Sequence, residues 1–175
     1  MTSESKKIYV GIDNGLDGGI AVVSEDGKLL FALAMPTCAD GKKRKVLAYM
    51  IKILLETCSG ESQERGTTVV VERPAGSKSV LAAVSMADSF ARIETVLQLG
   101  GYRHQFITAK TWQKEFWKVP KMAAGQKFDT KAAALLAANR LWPGFNWLAS
   151  PRCRVPHDGM IDAALIAEYA RRKSL

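Results

Sequence analysis

Cysteine is scarce in this chain of 175 residues, and its placement excludes two classes of small fold. Cys38, Cys58 and Cys153 are odd in number and far apart, with no C-x-x-C pair, which argues against a disulfide framework and a zinc site. A reducing cytoplasm is the expected setting. Long apolar runs are missing as well. The opening "MTSESKK" has neither an apolar signal core nor an Arg-rich amphipathic pattern, and no later stretch is apolar enough to span a bilayer; the chain reads as soluble, with no membrane partner. Internal repeats and low-complexity tracts are absent. Acidic residues are in deficit, 17 against 25 Lys and Arg, for a formal net charge of +8. Such a field attracts polyanions and makes nucleic acid the leading partner. The alternative is a charge that only keeps the protein soluble.

What is present is ordinary for a globular protein: 47% hydrophobic and 24% charged residues, in a length that fits one domain over residues 1–175. "IYVGID" alternates Ile8, Val10 and Ile12 with Tyr9, Gly11 and Asp13, the period of a strand. "GGIAVVSEDGKLLFALAMP" predicts two further strands joined at Asp26-Gly27, a hairpin signal, so the chain opens on a three-stranded antiparallel meander. A basic loop, "GKKRK", leads to helical spacing over residues 46–57 and then an exposed connection, "SGESQERG". "TTVVVERP" is continuously apolar up to Glu72, as expected of a strand covered on both faces. A long helix is predicted over residues 79–99, then a short strand in "YRHQFIT" and an amphipathic helix in "AKTWQKEFWK". After the loop "VPKMAAGQKF" come a helix capped by Asp129 and a last helix in "HDGMIDAALIAEYARRK". The order β-β-β-α-β-α-β-α-α-α implies an α/β fold, a mixed five-stranded sheet flanked by helices.

Four acids stand out. Asp13 and Glu72 each end a strand, where α/β folds commonly place sites. Asp158 and Asp162 are four apart, on one helical face that Leu165 and Tyr169 continue inward. Taken singly, each has a structural reading: Asp158 as an N-cap, Asp13 as a turn residue, Glu72 as partner of Arg73 or a loop lysine. Converging, they would form an oxygen-only cluster suited to a hard cation, Mg²⁺ or Mn²⁺.

"GIDNGLDGGIAVV", "VVVERP" and "HDGMIDAALIAEYA" resemble, in order and spacing, the three acidic motifs of the RuvC family of Holliday junction resolvases, closer to its chloroplast and phage branches. The resemblance spans nearly the whole chain and implies a ribonuclease H-like fold. It implies two Mg²⁺ ions per site held by Asp13, Glu72, Asp162 and Asp158, with Glu72 bridging. It further implies cleavage of four-way junction DNA to a 5′-phosphate and a 3′-hydroxyl. Two metals about 3.5–4 Å apart activate a water and relieve charge on the leaving oxygen. The bacterial enzymes of the family space the helix pair by three, with an acid or a His in the earlier position. Here Gly159 stands three before Asp162, so neighbouring His157 is a further candidate ligand or base. Asp17 reads as a solvated turn acid, and the glycines around Asp13 as room for an approaching phosphate backbone.

Candidate DNA-binding residues are Lys42, Lys43, Arg44 and Lys45 in the basic loop, Arg73 and Lys78 after Glu72, and Lys110, Lys114, Lys118, Lys121, Lys127 and Lys131, interleaved with aromatics. A solvated loop is the alternative for the first cluster, and Trp112 and Phe116 read as core. No aromatic wedge of the kind relatives carry is visible in "RPAGSKS". The helix at 79–99 has two apolar stripes, one through Val80, Val84, Ala87 and Ala91 and another through Met86, Phe90, Ile93 and Leu97. Either it is buried twice within its own domain or it forms a two-fold dimer. The expected function is a Mg²⁺-dependent junction endonuclease; helicase partners are not specified by the sequence. Alternatives are a nuclease for other branched or hybrid substrates, an actin-like ATPase, for which the chain is short, and a non-catalytic DNA-binding module.

Overall fold

A computed structural model describes residues 7–59, 66–76, 79–123 and 125–175. The alternating segment at the start forms β1 (Ile8–Asp13), β2 (Gly19–Ser24) and β3 (Leu29–Ala34), an antiparallel meander with Ile12 opposite Ile20 and Ala21 opposite Ala32. The segment expected to be a basic loop is instead a second hairpin, β4 (Thr37–Asp40) and β5 (Lys43–Val46), with Asp40 opposite Lys43. Its turn is Gly41-Lys42, where Gly41 has φ of +61°, a conformation glycine adopts without steric cost. Helix α1 (Ala48–Ser59) therefore starts two residues later than its apolar spacing suggests, because Val46 belongs to β5.

β6 (Thr67–Glu72) pairs parallel with β1, α2 (Val80–Leu99) crosses over, and β7 (Arg103–Ile107) pairs parallel with β6. The mixed five-stranded sheet has the order β3-β2-β1-β6-β7. Three helices complete the chain: α3 (Ala109–Phe116), α4 (Thr130–Leu141), capped by Asp129 as expected, and α5 (Asp158–Arg172).

The period of two divides the sheet into two faces. Val10, Ile12, Ile20, Val22, Val69 and Val71 pack with Ile51 and Leu55 of α1 and Ile93 and Leu97 of α2. Tyr9, Ala21, Val23 and Val70 pack with α5, Ala134 and Ala138 of α4, and Trp112 of α3. Both faces of β1 and β6 are covered, which is why "TTVVVE" is apolar throughout. α5 lies unusually close to the sheet. A Cβ on Gly11 would stand 2.1 Å from the carbonyl oxygen of Ala163 and 2.4 Å from the nitrogen of Ala167, so helix and strand meet backbone to backbone. Alanines fill the rest of this contact. Near the far end of α5, Glu168 is 2% exposed yet ionised in place: burial raises its pKa, but hydrogen bonds from Arg171 and Arg172 outweigh that and lower it.

Candidate active site

Asp13 and Glu72 close adjacent parallel strands, one residue past the Ile12–Val71 pair, at the same end of the sheet. Asp13 shares the parity of Tyr9 and Gly11, and Glu72 that of Val70, so both carboxylates lie on the face that carries α5. That helix begins at the same end. Gly19 and Gly159 are in backbone contact there, since a Cβ on Gly19 would lie 2.4 Å from the Gly159 carbonyl oxygen. The close approach delivers Asp162, just over one turn into α5, to the two strand ends.

The acids sense one another. Burial pushes the Asp13 carboxyl well above the ordinary aspartate range, and the charges of Asp162, Glu72 and Asp158 push it further. Asp162 is raised to about 7, chiefly by burial and then by Glu72 and Asp158, with Lys131 opposing. Glu72 is raised by burial, against which the indole N–H of Trp112 acts by donating to its Oε2 at 2.6 Å. Among the described residues Asp13, Glu72 and Asp162 form no salt bridge, whereas Asp158 pairs with Lys131 at 2.5 Å. Among the described residues, no three His, Cys, Asp or Glu side chains stand close enough together to form a ready metal cage.

His157 is the N-cap of α5, its Nδ1 accepting the Met160 N–H at 3.3 Å, so that nitrogen is committed to the helix end. Asp158 is thereby the first helical residue and not the cap. The helix spacing also acquires a cause. A Cβ on Gly159 would meet the Asp17 carbonyl oxygen at 2.4 Å and the Gly18 Cα at 2.6 Å, so no acid fits three residues before Asp162, and Asp158 is the available second position. Of the glycines around Asp13, Gly11, Gly18 and Gly19 are spent on close backbone contacts; Gly15 has open space around it and a φ of +140°, a conformation that favours glycine. Gly159→Ala is expected to cost about 3 kcal/mol in urea unfolding, because backbone must move to admit it. Gly76→Ala, with nothing within 4 Å, serves as the control, and equal stability of the two variants would remove this account.

Basic side chains flank the acids on two sides. Asp17, 86% exposed as a turn acid should be, binds Arg44 at 2.6 Å and so ties the β4–β5 hairpin to the β1–β2 turn. Lys42, Lys43 and Arg44 are exposed there, while Lys45 reaches Asp40 at 3.4 Å. On the other side Lys110 and Lys114 of α3, Lys118, Lys121 and Lys127 in the following loop, and Lys131 at the start of α4 are all exposed. Lys131, expected only as a phosphate contact, reaches into the acid cluster through Asp158. Arg73 is exposed and lies over the Phe106 ring at 5.6 Å; Lys78 lies outside the described residues. Trp112 and Phe116 are core, as their helical spacing indicates. Two features escaped sequence reading. The basic hairpin carried the same Asp-Gly signal, at Asp40-Gly41, as the hairpin that was recognised. The contact of Trp112 with Glu72 had only a general sign, that a buried indole N–H needs an acceptor.

No helix among the described residues is long and apolar enough to cross a membrane. No family model matches the chain, and no curated protein matches it. Solved structures do. RuvC of Thermus thermophilus in complex with a Holliday junction substrate matches with a TM-score of 0.60 at 14% identity, over 95% of this chain and 96% of that one. A second structure of RuvC from Thermus thermophilus matches with a TM-score of 0.51 at the same identity and coverage. At that identity the likeness is one of architecture, and the mixed five-stranded sheet with helices on both faces is accordingly the ribonuclease H-like fold of RuvC.

Proposed function

We propose that the chain is a divalent-metal-dependent endonuclease that resolves four-way DNA junctions by paired phosphodiester hydrolysis, as a RuvC-family resolvase acting in the cytoplasm. One observation carries the reading. Asp13, Glu72 and Asp162 come together at the end of two parallel strands with no salt bridge of their own among the described residues and Lys131 on Asp158 as the cation beside them, next to two basic surfaces. The likeness of fold to a protein solved with a Holliday junction substrate supports the choice of substrate.

The donor set fits a hard cation: it is all oxygen, and the carboxyls are raised by burial first and by one another's charge second, costs of ionisation that a divalent ion would relieve. Asp13, Glu72 and Asp162 would hold Mg²⁺ or Mn²⁺, with Asp158 as the fourth acid and His157 beside it. When bound, a metal pair would supply an activated water and relief of charge at the leaving oxygen. The protein's own part is to hold the acids on rigid strand and helix ends and to seat the phosphate backbone on Arg44, Arg73 and the α3–α4 lysines. Lys131 screens Asp158 until a substrate phosphate competes for it. Cleavage of a mobile-core junction should require Mg²⁺ and fail with Ca²⁺ or chelator. Equal cutting of linear duplex would sink the substrate assignment. A nuclease for flaps or hybrids is the second reading, favoured by the absence of an aromatic from residues 73–76 after Glu72. Cutting rates on junction, flap and hybrid at equal salt separate the two.

Paired cutting calls for two symmetric sites, and α2 offers the means. Its Ile93 and Leu97 stripe is buried on the sheet, but Val80, Leu81 and Val84 are 76%, 75% and 61% exposed. Among the described residues nothing buries this second stripe, and it is the surface we assign to a homodimer. Leu81→Glu with Val84→Glu is expected to convert a dimer into a monomer in sedimentation and to uncouple the two cuts. A wild-type protein that sediments as a monomer at assay concentrations would dispose of the dimer.

A further inference from the structure

The indole of Trp112 is fully buried, 0% exposed, and its only polar atom points at Glu72. Its place follows from the sheet. Glu72 is paired with Ile107, the last residue of β7, and α3 begins two residues after Ile107, so Trp112 stands beside the end of β6. Phe116 and Trp117 pack against the ring at centroid distances of 6.3 and 5.7 Å, the latter nearly perpendicular at 87°. The ring is enclosed by these contacts, and its Nε1–H donates to Glu72 Oε2 at 2.6 Å.

We infer that Trp112 is a positioning residue for the metal site: it fixes the rotamer of Glu72 and presents the remaining carboxylate lone pairs to a divalent cation. The inference rests on the metal-dependent reading above and goes beyond it. An indole is a donor only, neutral at every working pH. It can orient a carboxylate without cancelling its charge, which a lysine or arginine in the same place would do. The contrast is within the site, where Asp158 is held by a cation, Lys131. One oxygen of Glu72 spends one lone pair on Trp112 and keeps its charge for the metal. Partners of this kind typically contribute 10–100-fold to metal affinity.

The test uses the full chain labelled with ¹⁵N, in which four tryptophans produce four indole N–H signals. Trp112→Phe identifies its signal by loss and keeps most of the buried ring. On titration with Mg²⁺ the Trp112 signal is expected to move saturably in the wild-type protein. Trp112→Phe should bind Mg²⁺ about tenfold more weakly by calorimetry, with the other indole signals in place. Wild-type affinity in Trp112→Phe, or a Trp112 signal that stays still as the wild type saturates, overturns the inference and leaves the functional reading standing. Absence of Mg²⁺ binding by the wild type overturns both. Should Trp112→Phe fail to fold, Glu72→Gln in metal-free protein decides: it must shift one indole signal, the same one that moves with Mg²⁺ in the wild type, and four unchanged signals or a different one moving overturns the contact.

Discussion

Asp13→Asn is expected to leave junction binding intact and to lower Mg²⁺-dependent cleavage about a thousand-fold, equivalent to about 4 kcal/mol of transition-state stabilisation. The two effects separate because the proposed phosphate contacts are on the hairpin and the α3–α4 lysines, whereas Asp13 stands among acids. Removing its charge should also make the metal-free protein more stable, since burial and three neighbouring carboxylates oppose ionisation there. Stability and activity thus move in opposite directions at one residue, as they do where a site is held in an unfavourable state for its chemistry. Cleavage and filter-binding assays on a synthetic junction, with a thermal melt in chelator, read all three. Residual cutting near the wild-type rate would remove Asp13 from the chemistry and, with it, the proposed site.

The metal-free protein should lose stability as pH rises from about 4 to about 7. The sign follows from Asp162, whose carboxyl is raised from 3.8 to about 7 by burial and by Glu72 and Asp158. The folded state then keeps a proton that the unfolded chain has already released. The resulting stabilisation is complete below the unfolded value and is lost as pH passes through the folded one. For that shift the loss is on the order of 4 kcal/mol, and Asp13 is shifted in the same direction. Thermal midpoints in chelator should therefore fall from about pH 4 to about pH 7, and Mg²⁺ should recover the loss at the upper end. Asp162→Asn should flatten the slope and melt higher than wild type at pH 8 without metal. An unchanged slope in that variant would show that the pH dependence arises elsewhere.

Most of the sheet could be read from its pattern because the central strands β1, β2 and β6 are covered by helices while β3 and β7 are covered in part, and burial leaves its period in the sequence. The meander, β6, β7 and the cap at Asp129 follow from local rules. The basic hairpin did not, because its alternation is short and polar: "KRKV" contributes one buried side chain, Val46, too few to set a period. The acids were legible as residues at strand ends and on a helix face, but not as a group.

The sequence by itself determined the strands that carry Asp13 and Glu72, the helix face of Asp158 and Asp162, and the chain's excess of positive charge. Only the tertiary structure decided which of these meet. Gly11, Gly19 and Gly159 admit α5 to backbone contact with β1 and β2, and that contact brings Asp162 to the strand ends. Tertiary packing likewise set Lys131 on Asp158 and Trp112 on Glu72, pairs separated by 27 and 40 residues. The reason is physical. Strand and helix periods are written by local backbone geometry and burial, whereas a long-range contact depends on which surfaces can approach, and here that is decided by the absence of a side chain.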